Sequence, residues 1–310
     1  MKAPTFRSLL TKDTGVGCNI PTPNSLMKIL NDIVEDIYNL FNADVGPQKS
    51  KDQLSKAAHT MGRNIANLCL DRFEEYKQES RIRPSNIGKP GRQLWYELKN
   101  YPKSSEPSGS DYIKFLYGNI LEELLLFLSY SAGHTVTETQ KKVTIDGISG
   151  HKDCRIDGIT VDIKSASAFA FKKFEQGTLE NDDPFGYISQ LSAYAKAEGD
   201  NEAAFFVIDK QSGKLALLPL HQMEMHNVSE KIKNIKKSLE KDEPPEKCYD
   251  TVPFGKSGNS QLSIGCRFCS YKHNCWADAN NGDGLRIFNY ANGPVYLTKV
   301  VNTPAVEEIT

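Results

Sequence analysis

Apolar positions along this chain repeat first at helical spacing and then, past its middle, at strand spacing. Leu26, Ile29, Leu30, Ile33, Ile37 and Leu40 follow Pro21, Pro23 and Asn24, and Gly46 with Pro47 ends the run. A second helix is expected over 51–78, so residues 1–80 read as a peripheral helical layer. After a polar linker at 104–110, Asp111 fits a helix N-cap. Ile113, Leu116, Tyr117, Ile120, Leu121, Leu124, Leu125 and Leu128 then predict a largely buried helix over 112–131, stopped at Gly133. Within it Glu122 falls beside the apolar stripe, where a carboxylate is costly unless paired or metal-bound.

Strand-like runs follow at 134–145, 151–156 and 159–164. A helix is expected over 184–199, strands over 203–209 and 214–218, and a charged helix over 228–240. Residues 241–310 are rich in Pro, Gly, Asn and Cys, with little periodicity, and no internal repeat is present.

Bulk composition narrows the class. The 310 residues suffice for one large domain or two modest ones. A formal net charge of −1 supplies no global basic field, so nucleic acid would have to be bound through local patches. No apolar run reaches membrane-spanning length, and the N-terminus MKAPTFRSLLTKDTG lacks the apolar core of a signal peptide. A cytoplasmic protein is expected. Its seven cysteines then read as free thiols or metal ligands rather than disulfides.

Residues 81–103 gather Arg81, Arg83, Lys89, Arg92 and Lys99 around Trp95. Basic side chains beside an aromatic suit a phosphate backbone. A solvated loop followed by a helix that buries Trp95 fits equally well.

The most informative stretch is GHKDCRIDGITVDIKSAS, residues 150–167. Asp157-Gly158 is a two-residue hairpin signal. With these two in the turn, Ile156 faces Ile159, Arg155 faces Thr160, Cys154 faces Val161, Asp153 faces Asp162, and His151 faces Lys164. Side chains alternate between faces. Cys154, Ile156, Ile159, Val161 and Ile163 form a core face, with Cys154 a small buried hydrophobe. His151, Asp153, Arg155, Thr160, Asp162 and Lys164 form a chemical one. Two facing carboxylates repel unless something compensates, and a divalent cation such as Mg2+ or Mn2+ would. Lys164 could orient or deprotonate a water, or neutralise charge developing on a phosphate. An exposed hairpin with ordinary surface charges remains the alternative.

Four segments in order resemble the RecB-type branch of the PD-(D/E)XK nuclease superfamily. Gly118-Asn119-Ile120-Leu121-Glu122 is similar to its first motif, Gly150-His151-Lys152-Asp153 to its second, Asp162-Ile163-Lys164 to its third, and Gln190-Leu191-Ser192-Ala193-Tyr194 to the Q-x-x-x-Y helix that follows. The resemblance spans 118–194. It implies a metal bound by Glu122, Asp153, Asp162 and the Ile163 carbonyl, with Lys164 as the catalytic lysine and Gln190 and Tyr194 assisting. The fold it implies is α/β, restriction-endonuclease-like, with a mixed central sheet flanked by helices. Residues 1–80 would be the N-terminal helical layer, 81–220 the nuclease core, and 221–310 a C-terminal helix and cysteine segment packing on that core. DIKSAS, GKSGN and the C-x-x-C segment resemble phage-encoded members, which would place the protein in an infected bacterial cytoplasm.

Cys266-x-x-Cys269 with Cys275 has metal-ligand spacing. RecB-type nucleases with an iron–sulfur cluster carry a similar group, plus a cysteine upstream of the first motif. Here that stretch, IGKPGRQLWYEL, has none. Cys248 is the best replacement, and Cys18 and Cys69 are further candidates. A [4Fe–4S] cluster is favoured over Zn2+, for which His273 could complete a site. A metal would cross-link a tail that its apolar content would struggle to hold together.

The expected activity is a metal-dependent exonuclease acting on DNA in processing or recombination, with a helicase or recombination protein as partner. The rival readings are a non-catalytic DNA-binding or assembly module on a degenerate nuclease fold, and a redox-sensing metalloprotein centred on the cysteines.

Overall fold

The computed structural model describes residues 29–73, 80–103, 107–221 and 224–309. Pro21, Pro23, Asn24, Leu26 and Cys18 lie outside them. The described part of the N-terminal layer is helical. Helix α1 covers Ile33–Asn39 and α2 covers Lys51–Asp71, shorter than the expected 51–78, of which 74–78 fall outside the described residues. Ser50 and Gln53 start α2 with a reciprocal capping box. Helix α3, Gly91–Leu98, buries Trp95.

Helix α4 spans Gly109–Ser131. Its N-cap is Ser108, not Asp111. Asp111 is the third helical residue, and its carboxylate accepts from the Ser108 N–H in return. The helix is buried only in its second half. Leu121, Leu125 and Leu126 are in the core, whereas Ile113 and Phe115 are 70 % and 53 % exposed. The apolar girth of the first turns reflects a surface, not a core contact.

Five strands form the central sheet in the order β1-β4-β5-β6-β7: Val136–Thr137, Cys154–Ile156, Ile159–Ala166, Glu202–Asp209 and Leu215–His221. Only β5 and β6 run parallel, so the sheet is mixed. Helices α5 (Ala168–Glu175) and α6 (Tyr187–Glu198) make the crossover that a parallel pair requires. One sheet face packs Val161, Ile163, Ala204 and Phe206 on α1, α2 and α4. The other packs Ala203, Phe205 and Val207 on α5 and α6. The fold is therefore α/β, a mixed sheet between helical layers.

Two expected strands are each divided. Lys142–Ile145 (β2) and Ile148–His151 (β3) form a separate two-stranded ribbon. Glu138 and Gln140 take positive φ between β1 and β2, which ends the single run expected over 134–145. Helix α7, Val228–Leu239, packs Val228 and Ile232 against that ribbon and α6.

The C-terminal segment holds more structure than its weak periodicity predicts. Strands β8 (Val252–Phe254), β9 (Asn259–Gln261), β10 (Arg286–Tyr290), β11 (Gly293–Lys299) and β12 (Glu308–Ile309) form a second, antiparallel sheet around Phe288, Val295 and Leu297. Two short helices, α8 (Ile264–Arg267) and α9 (Lys272–Cys275), carry Cys266 and Cys275, with Cys269 between them and Cys248 before β8. The basic stretch at 81–103 mainly fastens this segment. Arg92 donates to the Pro245 carbonyl, the Trp95 indole to Ser238, and the Tyr96 hydroxyl to Asn274, while Lys89 pairs with Glu97 at 2.6 Å. The structural reading of Trp95 holds. Among the described residues, no helix is long and apolar enough to cross a membrane.

Candidate active site

The hairpin folds as its sequence dictates. Asp157 and Gly158 take φ of 51° and 85°, the left-handed pair of a type I′ turn. The ladder runs Ile156–Ile159, Arg155–Thr160, Cys154–Val161. There it stops, and the expected facing pairs Asp153–Asp162 and His151–Lys164 do not form. Residues 152–153 turn away to bond Lys141 and Gln140 instead. The Asp153 carboxylate accepts the Ile163 N–H at 2.8 Å and so takes the place of a ladder bond. His151 pairs with Lys142 on the ribbon and is exposed, away from the carboxylates.

The chemical face is also covered. Asp162 is 0 % exposed, because α6 lies over it. Gln190 Nε2 donates to Asp162 Oδ1 at 3.2 Å, and Tyr194 is buried one helical turn further on. Lys164 Nζ stands 2.6 Å from Asp162 Oδ2, an ion pair between two largely buried groups. The same ammonium lies 5.2 Å from the centre of the Tyr187 ring.

Helix α4 brings Glu122 to the same place. Gln140 Nε2 donates to Glu122 Oε1 at 2.8 Å. The expectation of a misplaced buried acid is one residue out of phase. Glu123 is the buried one, and Asn64 of α2 donates to it at 2.8 Å. Gly118, one turn earlier, lets α4 approach β5 closely: a Cβ there would meet Ser165 Oγ at 3.3 Å. Glu122, Asp153, Ile163 and Lys164 line one open cleft of about 570 Å3.

Electrostatics in this cleft are unbalanced. Burial, then the Glu122 and Asp162 carboxylates, push the Asp153 carboxyl well above the ordinary range, against Lys164 and the Ile163 N–H. Burial pushes Asp162 up as well, with Lys164 pulling it down. Burial disfavours the Lys164 charge, but Asp162 and Asp153 outweigh it and raise its pKa. A lysine held so firmly charged can neutralise and orient, but is poorly suited to accept a proton. Burial and the two aspartates also keep the Tyr194 phenol protonated.

Sequence reasoning missed two features. One is a network behind the site. Fully buried Lys152 pairs with Glu138 at 2.5 Å and Glu198 at 3.3 Å, and Arg155 joins Glu198 at 3.5 Å and Asp200 at 2.9 Å. The alternating pattern gave no hint of it, since Lys152 reads as a surface residue. The other is the loop before α6. Asp183 accepts the Tyr187 and Ile188 N–H groups at 2.9 Å each. Gly186 and Gly88 touch backbone to backbone: a Cβ on Gly186 would lie 2.1 Å from Gly88 Cα.

Away from the carboxylates, Cys248, Cys266, Cys269 and Cys275 all line one narrow cavity beside Arg92 and Tyr249. Burial raises the Cys269 thiol and pushes Cys275 up to about 11, with Arg92 pulling Cys275 down. The Tyr271 N–H points at Cys269 Sγ, 3.4 Å away. His273 packs edge-on to Tyr296 instead of lining this cavity, and Cys69 sits on α2. Cys154 is a buried core residue, as expected. Among the described residues no three His, Cys, Asp or Glu side chains already stand in a ligating arrangement. The donor sets nevertheless suit two kinds of ion: the carboxylate oxygens of Glu122 and Asp153 at the cleft with Asp162 buried behind them, and sulfur alone at the cavity.

No family model matches the sequence, and no curated protein matches it. Similar solved structures include SSO0001, 15% identical with a TM-score of 0.39, over 67% of this chain and 91% of that one. They also include an alkaline exonuclease from Laribacter hongkongensis, 14% identical with a TM-score of 0.36, over 52% of this chain and 91% of that one. A phage-related exonuclease from Haemophilus somnus 129PT is 16% identical with a TM-score of 0.36, over 52% and 90%. These likenesses concern the course of the chain and say nothing of its chemistry.

Proposed function

We propose that this protein is a metal-dependent nuclease that hydrolyses phosphodiester bonds in DNA, acting from strand ends. The observation that carries the reading is the gathering of Glu122, Asp153 and Lys164 on one cleft with Asp162 buried directly behind them, three acids set against one lysine. Glu122, Asp153, Asp162 and the Ile163 carbonyl would hold Mg2+ or Mn2+, which when bound supplies Lewis acidity toward a phosphate. Lys164 places a positive charge where the phosphate gains negative charge. Gln190, which donates to Asp162, would hold that carboxylate in place, and Tyr194, buried one turn further along the same helix, would assist. Linear DNA should be degraded with Mg2+ or Mn2+ and left intact with chelator, and Lys164→Ala should lower the rate on the order of 10²-fold or more. End-blocked and circular DNA should resist. Tight DNA binding without cleavage under any divalent metal would overturn the reading in favour of a non-catalytic DNA-binding module.

The cysteine cavity supports a second metal. Its four thiols come from the loop before β8 and from the α8–α9 region, so an ion there would tie these together. A [4Fe–4S] cluster or Zn2+ would be held by Cys248, Cys266, Cys269 and Cys275. Anaerobically purified protein should contain the metal, with visible absorbance bleached by dithionite in the cluster case. Cys248→Ser should lose most of it. Full metal content in that variant would remove Cys248 from the ligand set.

A further inference from the structure

The nuclease reading leaves open which form of DNA the cleft accepts, and the rim of the cleft bears on this. Phe185 lines the cleft yet is 65 % exposed. Its inner face stacks on Tyr187, with centroids 5.4 Å apart and planes 25° from parallel. Tyr187 in turn lies over the Lys164 ammonium. A second exposed aromatic, Phe115 of α4, lines the same cleft. The outer face of Phe185 is thus left to water beside a cluster of charges.

Phe185 is also held firmly. The segment 183–186 is tied by the two Asp183 side-chain bonds, by the Gly186 N–H to the Asp183 carbonyl at 3.1 Å, and by the contact of Gly186 on Gly88. A fixed ring with one free face is what a nucleobase stacks upon. Inside a duplex, neighbouring bases already occupy both faces of each base, so such a ring favours an unpaired one. Lys210 lines the same cleft and suits a neighbouring phosphate, while Lys114 and Lys173 there are paired with Asp111 and Asp182.

Resting on the nuclease reading, we propose that Phe185, backed by Tyr187, is a stacking platform for an unpaired base next to Lys164, so that the cleft takes single-stranded ends in preference to paired ones. The probe is a phosphorothioate-linked oligonucleotide with 2-aminopurine at each end in turn, added to the full-length protein with Mg2+. Its fluorescence should be quenched by wild type and by Phe185→Trp, and not by Phe185→Ala. Phe185→Ala should raise KM for an ordinary single strand about tenfold, and for a blunt duplex much less. Phe41→Ala, at a still more exposed ring on the N-terminal layer, should change neither. Quenching by Phe185→Ala equal to wild type overturns the platform. DNA cleavage by wild type without quenching discards the platform and leaves the nuclease. Quenching without cleavage discards the nuclease and leaves the platform.

Discussion

Asp153→Asn is expected to make the protein more stable and nearly inactive at once. The side chain keeps its oxygen for the Ile163 N–H but removes one of three crowded acids. With chelator at neutral pH, the melting temperature should rise by roughly 2 °C, the shift about 1 kcal/mol produces in a domain approaching this size. DNA hydrolysis should fall on the order of 10³-fold. The gain in stability should depend on pH. The folded protein holds the Asp153 proton more tightly than the ordinary value of 3.8 would allow. Wild-type stability from this group is therefore full at low pH and is lost as pH rises through the raised pKa. The melting difference between variant and wild type should be small near pH 4 and widen upward. A difference independent of pH would show that Asp153 does not carry the strain.

Lys152→Met is expected to give the largest loss of stability. The ammonium is fully buried between Glu138 and Glu198, and its removal leaves two carboxylates facing each other across Met. Breaking such a pair from one side costs about 3 kcal/mol or more. Lys141 and Arg155 remain to compensate in part, which argues for the lower figure. Urea denaturation measures it directly. Glu138→Gln, which leaves Lys152 with Glu198, should lose clearly less. Equal and negligible losses would mean that water already screens the network.

Local chemistry was legible in the sequence where it depends on neighbours along the chain. The turn at Asp157-Gly158 fixed the hairpin and its first three pairs, because a two-residue turn allows one register. The approach of Glu122 was legible only through motif order, since a residue on α4 meets β5 by tertiary packing. The break at Lys152-Asp153 was not legible, because it depends on Asp153 competing for the Ile163 N–H, a choice the alternating pattern does not encode. The second sheet escaped for a related reason. Val252–Phe254 and Asn259–Gln261 are three residues each, too short for a period of two to show. The four cysteines were recognisable as ligand-like by spacing, but their meeting with Arg92 required the fold.

That meeting has a consequence for the order in which the molecule is made. The cavity wall joins residues 90–96 to residues 248–276, and the bonds that close it link positions 153 and 178 residues apart. Contacts so distant form late and slowly. During synthesis the sheet and its carboxylates emerge first and can fold before the tail exists. Truncation after α7 should therefore leave a collapsed core with an uncovered α3, while chains that lose α3 should fail to seat a tail that is otherwise intact.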